Sequence, residues 1–204
     1  MMRYRMVALS LVAGAVFAGS ADAQKFVGQE TIGSLPAPAL LDIAGMFQDR
    51  YAKVGEDMYI AGQPTEKALR EMKALGVTTV VNLRTPPEMA RIGFDEPKLI
   101  EELGMKYVYL PVRGDGQYPY SPETLKQFTE VMQSAEGKVL LHCTVAWRAS
   151  HLWGAYLIQQ GVAIPDALKH ARAINLMDDH RMDSNGNQPL ALFLGRTVPG
   201  LGRP

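Results

Sequence analysis

Apolar positions along the chain fall into two alternating patterns. Four short runs are almost continuously apolar and rich in β-branched or aromatic residues: Met58-Tyr59-Ile60-Ala61, Val77 to Leu83, Tyr107 to Val112 and Lys138 to His142. Runs of this length without polar alternation suit strands buried on both faces of a parallel sheet. Between them apolar residues recur at helical spacing, as in Leu69, Met72 and Leu75, and in Leu125, Phe128, Val131 and Met132. The helix ends are marked. Pro64 presets the first turn before Leu69 and Gly76 stops the helix, while Ser121 is a good N-cap with Pro122 at the next position. Further helices are expected over about 98–104, from Arg148 to Gln160, and from Pro165 to Leu176.

Strands alternating with helices predict an α/β fold: a single domain with a mostly parallel central sheet flanked by helices. Lys138 to His142 is short and apolar and is expected at the sheet centre. Residues 51–180 form this domain. Residues 24–50 read as an N-terminal extension with a short helix over Leu40 to Phe47, and residues 181–204 as an irregular tail with a turn at Pro189 to Leu194.

The first 23 residues read as a secretory signal peptide. Met1 to Arg5 is a basic start, Met6 to Ala18 is an apolar core shorter than a comfortable bilayer span, and Ala21-Asp22-Ala23 is a small-x-small cleavage site. The expected location is periplasmic or secreted, with no stable membrane insertion once the signal is removed. Cleavage takes away Arg3, Arg5 and Asp22 and leaves 19 basic against 20 acidic residues. A near-neutral chain with no basic run gives no support for nucleic-acid binding. Nothing in the sequence fixes an oligomeric state.

The candidate chemistry sits where the last apolar strand ends. Val139-Leu140-Leu141-His142-Cys143 runs into Thr144-Val145-Ala146-Trp147-Arg148, and Arg148 opens a helix. Cys143 is the one cysteine of the 204 residues. A helix N-terminus offers a partial positive charge and unpaired N–H groups, and a guanidinium offers a full charge in a fork that matches two oxygens. Both favour a thiolate and an oxyanion beside it. The backbone N–H groups over Thr144, Val145, Ala146 and Trp147 can form the cradle, as successive amides do in a nest. His142 either braces the loop through its ring or is a satisfied core histidine, and the two roles overlap. The Ser150 hydroxyl either bonds the sulfur or bonds back to a helical carbonyl. Trp147 either walls the pocket, wedges against Trp153 or fills the core.

Ester cleavage also needs an acid for the leaving oxygen. Asp115, in the Gly-flanked loop Arg113 to Tyr120 at the same sheet edge, is the candidate; the competing role is that of a turn residue. The acidic run Asp178-Asp179-His180 is a second candidate that suits a surface helix end. It lacks ligand-spaced partners, so no metal is assigned.

Three stretches together resemble a bacterial phosphatase-like family, the one also found fused to β-lactamase-like hydrolases. They are Ile60-Ala61-Gly62-Gln63-Pro64-Thr65, then Thr79-Val80-Val81-Asn82-Leu83-Arg84 with Glu88, then His142-Cys143-x4-Arg148 followed by a helix carrying Trp153. The resemblance covers about residues 51 to 162. It implies a dual-specificity-phosphatase-like fold and hydrolysis of phosphate monoesters through a phosphocysteine, with Cys143 as nucleophile and Arg148 as phosphate clamp. It implies no metal or other cofactor, and a phosphorylated small molecule or phosphoprotein as partner. Two loop positions differ from the usual pattern: Ala146 stands where family loops carry glycine, and Ala149 where better-known phosphatases place a hydroxyl residue. The spacing from cysteine to arginine is four residues where those enzymes have five. Four residues is also the spacing of single-domain rhodanese-like sulfurtransferases, which is an alternative reading. A non-catalytic phosphate- or sulfate-binding module is another.

Overall fold

The computed structural model describes residues 36–177 and 188–201. The proposed leader, and the Asp178-Asp179-His180 run, lie outside them. Six strands, β1 (Ala39–Leu40), β2 (Tyr51–Val54), β3 (Met58–Ala61), β4 (Val77–Asn82), β5 (Lys106–Tyr109) and β6 (Lys138–His142), form one sheet in the order β1-β2-β3-β6-β4-β5. Strand β6 lies between β3 and β4 and is parallel to both, and β4 is parallel to β5. Strands β1 and β2 add an antiparallel margin. The central position expected for Lys138 to His142 is therefore found.

The period of two along each strand sorts its side chains between two cores. Met58, Ile60, Val81, Val139 and Leu141 pack into one with helices α4 (Pro122–Ser134), α5 (Trp147–Gln159), α6 (Ile164–Ile174) and α7 (Pro189–Leu194). Tyr59, Ala61, Val80 and Leu140 point the other way, onto α1 (Glu66–Ala74) and α3 (Glu96–Glu102). A four-residue helix, α2 (Pro86–Met89), follows β4. Helix α5 is buried along almost its whole length, which needs small residues at its contacts. A Cβ at Gly154 would lie 2.7 Å from Leu190 Cδ1 and 3.1 Å from Ala171 Cβ. No helix among the described residues is long and apolar enough to cross a membrane.

The structure departs from the expected elements in several places. The helix expected over Leu40 to Phe47 is absent. Ala44 and Gly45 take positive φ (44° and 70°), which a helix cannot continue through, and Phe47 instead bridges to Pro64. Residues 51–54 are strand β2, joined to β3 by a tight turn in which Gly55 has φ 58°. The turn expected at Pro189 to Leu194 is a full helix, started by Pro189 and closed by Gly195 in the left-handed conformation. Strand β5 is also shorter than the run Tyr107 to Val112, because Pro111 has no N–H to give the ladder. The Leu110 and Val112 amides still donate to Asn82 and Leu83 carbonyls, so this segment continues along β4 as far as the site.

Candidate active site

Cys143 leaves the C-terminal end of β6, 1% exposed, with its amide donating to the Ala61 carbonyl at 3.3 Å. The loop from Cys143 to Trp147 is held from outside by its carbonyls. The Gln63 amide donates to the Thr144 carbonyl at 3.0 Å, and the Asn175 side chain donates to the Val145 carbonyl. Two carbonyl dipoles that would repel an anion are thus engaged elsewhere. Gly62 is what lets the β3 end approach so closely: a Cβ there would fall 1.7 Å from the Gln48 carbonyl oxygen and 2.9 Å from that of Thr144. Ala146 ends the loop at φ 62° and ψ −4°, a left-handed conformation that glycine adopts more readily than alanine.

Arg148 stands in the first turn of α5 and is 8% exposed. Its Nη1 donates to the Val112 carbonyl (2.7 Å), the Leu83 carbonyl (3.2 Å) and Glu88 Oε2 (3.0 Å); its Nη2 donates to Glu88 Oε1 (2.6 Å) and Thr144 Oγ1 (3.0 Å). The guanidinium is therefore oriented by a bidentate carboxylate and two strand-end carbonyls, beside the cysteine. Thr144 in turn donates to Glu88 Oε1 at 2.9 Å, and Thr85 donates to Oε2 through both its amide and its hydroxyl at 2.8 Å. Burial works against an ionised Glu88, but Arg148 and Thr85 outweigh it and pull this carboxyl down to about 2. Burial likewise opposes the charge on Arg148; Cys143 and Glu88 overcome that and raise its pKa above the ordinary arginine value.

Below the loop lies a buried polar network. Glu96, fully buried, accepts from Gln63 Nε2 (2.6 Å) and Asn82 Nδ2 (2.8 Å), and its Oε1 lies 3.1 Å from His142 Nε2. Burial disfavours the charged Glu96, yet His142, Gln63 and Asn82 together lower its pKa. The Asn82 side-chain oxygen accepts from the Arg84 amide, and Arg84 Nη1 donates to Gln63 Oε1 at 2.5 Å. The Gly-Gln-Pro and Asn-Leu-Arg stretches thus acquire physical roles: they join the ends of β3 and β4 under the cysteine loop.

Residues Cys143, Thr144, Val145 and Ala146 form the turn between β6 and α5, and Trp147 and Arg148 open that helix. The fully buried His142 ring meets Glu96 of α3 through Nε2, which is the core reading of its two. The Ser150 hydroxyl bonds back to the Trp147 carbonyl at 2.8 Å, the second of its two readings. Trp147 is a core residue set edge-on to His151 at 4.5 Å, while Trp153 stacks on Tyr156 instead. Asp115 closes its own turn: Oδ1 accepts from the Gln117 and Tyr118 amides at 3.0 and 2.8 Å, and Oδ2 is 4.0 Å from Arg113 Nε. Its loop nevertheless starts beside the site, since the Val112 carbonyl holds Arg148.

Sequence reasoning missed the part played by Glu88. The signal was present, because Thr85-x-x-Glu88 is half of a capping box whose acid can reach back to the N-cap amide. It also missed Glu96, which looks like an ordinary acid in a first helical turn.

Residues 50–162 match the family described as beta-lactamase hydrolase-like protein, phosphatase-like domain. That span holds β2 to β6, Cys143, Arg148, Glu88 and Glu96; Asn175, which holds the Val145 carbonyl, lies beyond it. A comparison with curated proteins gave no match. Among solved structures, a DUF442 protein of Shewanella putrefaciens CN-32 is 25% identical, covering 79% of this chain and all of that one, with a TM-score of 0.57. Another structure of DUF442 from that organism gives 28% identity over 63% of this chain and 82% of that one, with a TM-score of 0.50. TpbA of P. aeruginosa, at 19% identity over 81% of this chain and 93% of that one, has the same fold with a TM-score of 0.53. The family match covers more than half of the sequence and takes in the cysteine, its arginine and the carboxylate that orients it. On that ground the chain belongs to the phosphatase-like domain family of β-lactamase hydrolase-like proteins, with a cysteine-phosphatase-like fold and the standing of a phosphatase-type hydrolase.

Proposed function

We propose that this protein is an exported phosphatase that hydrolyses phosphate monoesters through a phosphocysteine. The observation that carries the reading is the Arg148 guanidinium, buried beside Cys143 and oriented by the bidentate Glu88 contact at 2.6 and 3.0 Å. A fixed guanidinium at the mouth of a helix is suited to charge building on a transferring phosphoryl group. In the first step the Cys143 sulfur attacks phosphorus, the bond to the leaving oxygen breaks, and the Asp115 carboxyl gives that oxygen its proton. In the second, water attacks the phosphocysteine, Asp115 takes a proton back, and inorganic phosphate leaves with the thiolate restored. For Asp115 to act, its carboxyl must exchange the Gln117 and Tyr118 amides for the substrate. Aryl phosphates, phosphotyrosine included, are the first substrates to try: a Cys-to-Ser variant of TpbA, which shares the fold, has been solved in complex with pTyr.

The test uses purified protein with p-nitrophenyl phosphate and with a phosphotyrosine peptide. Phosphate release that disappears in Cys143→Ser is expected. Thiocyanate formation from thiosulfate and cyanide, without phosphate release, would instead make the protein a sulfurtransferase. Silence in both assays with saturable phosphate binding would make it a binding module. Asp115→Asn keeps an oxygen to accept from the Gln117 and Tyr118 amides, so the loop should survive. Its rate is expected to fall by about 10²- to 10⁴-fold for alkyl phosphates and far less for p-nitrophenyl phosphate. An equal effect on both would remove Asp115 from the proton path.

A further inference from the structure

A cavity of about 640 Å³ opens next to the cysteine loop, lined by Phe47, Gln63, Lys67, Arg84, Arg91 and Phe94 among others. That volume is in the range of small-molecule sites. The cavity is tied to the loop through Gln63, whose amide donates to the Thr144 carbonyl, and to Glu88 through Arg84, which donates to the Glu88 carbonyl.

The charge in this cavity is unbalanced. Three cationic side chains, Lys67, Arg84 and Arg91, line it with one carboxylate, Glu66. Lys67 leans toward Glu71 at 3.8 Å along the outside of α1. Arg84 is the unusual member. It is 6% exposed, and its two hydrogen bonds from the fork go to neutral oxygens, Gln63 Oε1 and the Glu88 carbonyl. Its buried Nε has no hydrogen-bond partner. The Glu88 carboxylate, the nearest candidate counter-charge, is already spent on Arg148, Thr85 and Thr144. A buried cation met only by neutral acceptors is costly unless an anion joins it. Burial lowers the pKa of Arg84 and Arg148 adds to that, while the Glu88 and Glu96 charges, each engaged with other donors, offset it only in part. The cavity also meets the start of α1, where Thr65, Glu66 and Lys67 bring the positive end of a nine-residue helix.

We propose that this cavity receives a second anionic group of the substrate, so that the enzyme acts on small organic phosphates carrying another phosphate or a carboxylate. The proposal rests on the phosphatase reading: the scissile phosphate sits on the Cys143 loop while the second anion meets Arg84, Arg91 and Lys67.

Paired substrates test it. Phenyl phosphate is compared with 4-carboxyphenyl phosphate, and propyl phosphate with propane-1,3-diyl bisphosphate, at low ionic strength. The second anion is expected to raise kcat/KM by about tenfold or more in each pair, as a charge-assisted contact would. The double variant Lys67→Gln, Arg91→Gln should lose that advantage while hydrolysing phenyl phosphate as the parent does. Equal kcat/KM within both pairs would overturn the subsite and leave the phosphatase reading standing. If no monoester is turned over, the phosphatase reading falls, and calorimetry with methylenebisphosphonate against methylphosphonate tests the cavity alone. Tighter binding of the bisphosphonate, lost in the double variant, upholds an anion site; equal binding overturns it.

Discussion

Ala146 stands in a conformation that L-residues other than glycine avoid, at φ 62°, in the turn that joins Cys143 to its helix. Left-handed backbone costs an alanine about 1–2 kcal/mol, against which glycine's extra freedom in the unfolded chain sets about 0.4–1 kcal/mol. Ala146→Gly should therefore hold or raise the denaturation midpoint, although the same exchange inside a helix costs about 1 kcal/mol. A loss of that size in Ala146→Gly would show that the turn is not strained. Glu88 permits a second prediction at this scale. Replacing it with Gln removes the charge that Arg148, Thr85 and Thr144 share. The expected cost near neutral pH is about 1.5–3 kcal/mol, the range for hydrogen bonds to charged groups. Because the folded carboxyl is held at about 2 against an ordinary 4.5, its stabilisation is complete above the ordinary value and drains away as pH falls from there toward 2. Urea denaturation of both proteins across that window should show the gap closing; a gap that stays constant would assign the effect to packing.

At the scale of elements, the end of β3 is where sheet and loop are fastened. Gly62→Ala would press a Cβ onto two backbone oxygens, those of Gln48 and Thr144, neither of which can move as a side-chain tip can. A destabilisation of more than about 3 kcal/mol is expected, with activity lost alongside. Gly116→Ala is the control, since nothing lies within 4 Å of its added Cβ. A Gly62→Ala protein as stable as Gly116→Ala would mean that the approach is looser than described. The elements legible in the sequence were those whose own residues decide them. Met58 to Ala61, Val77 to Asn82 and Lys138 to His142 announce themselves by composition, and Ser121-Pro122 by its cap. Tyr51–Val54 escaped because it becomes a strand only through the hairpin it makes with β3 across Gly55, whereas Asp115 takes the turn role that its sequence context had offered beside that of an acid, accepting from the Gln117 and Tyr118 amides. Cys143 and Arg148 were readable because four intervening residues suffice to put both at the junction of β6 and α5. Glu88 was hidden in its role because its contact with Arg148 spans 60 residues of sequence.

Across the whole molecule, helix α7 belongs to the core. Leu190 and Phe193 are fully buried, and the Phe193 ring meets Tyr120, at the end of the Asp115 loop, edge-on at 5.3 Å. Phe193→Ala should cost about 3–5 kcal/mol in a thermal or chemical denaturation. A change within about 0.5 kcal/mol, as for a surface tail, would exclude α7 from the fold. The position of β6 has a kinetic consequence. Strands β3 and β4 precede it by more than fifty residues, yet neither pairs with the other; both wait for the strand that ends in Cys143. Until residues 138–142 are available, the nascent polypeptide carries two half-sheets with apolar edges open to intermolecular pairing. Insertion of β6 closes both edges and sets the nucleophile in the same event. The amides of that strand should therefore exchange with solvent only through global opening, and no partly folded species should carry a working site.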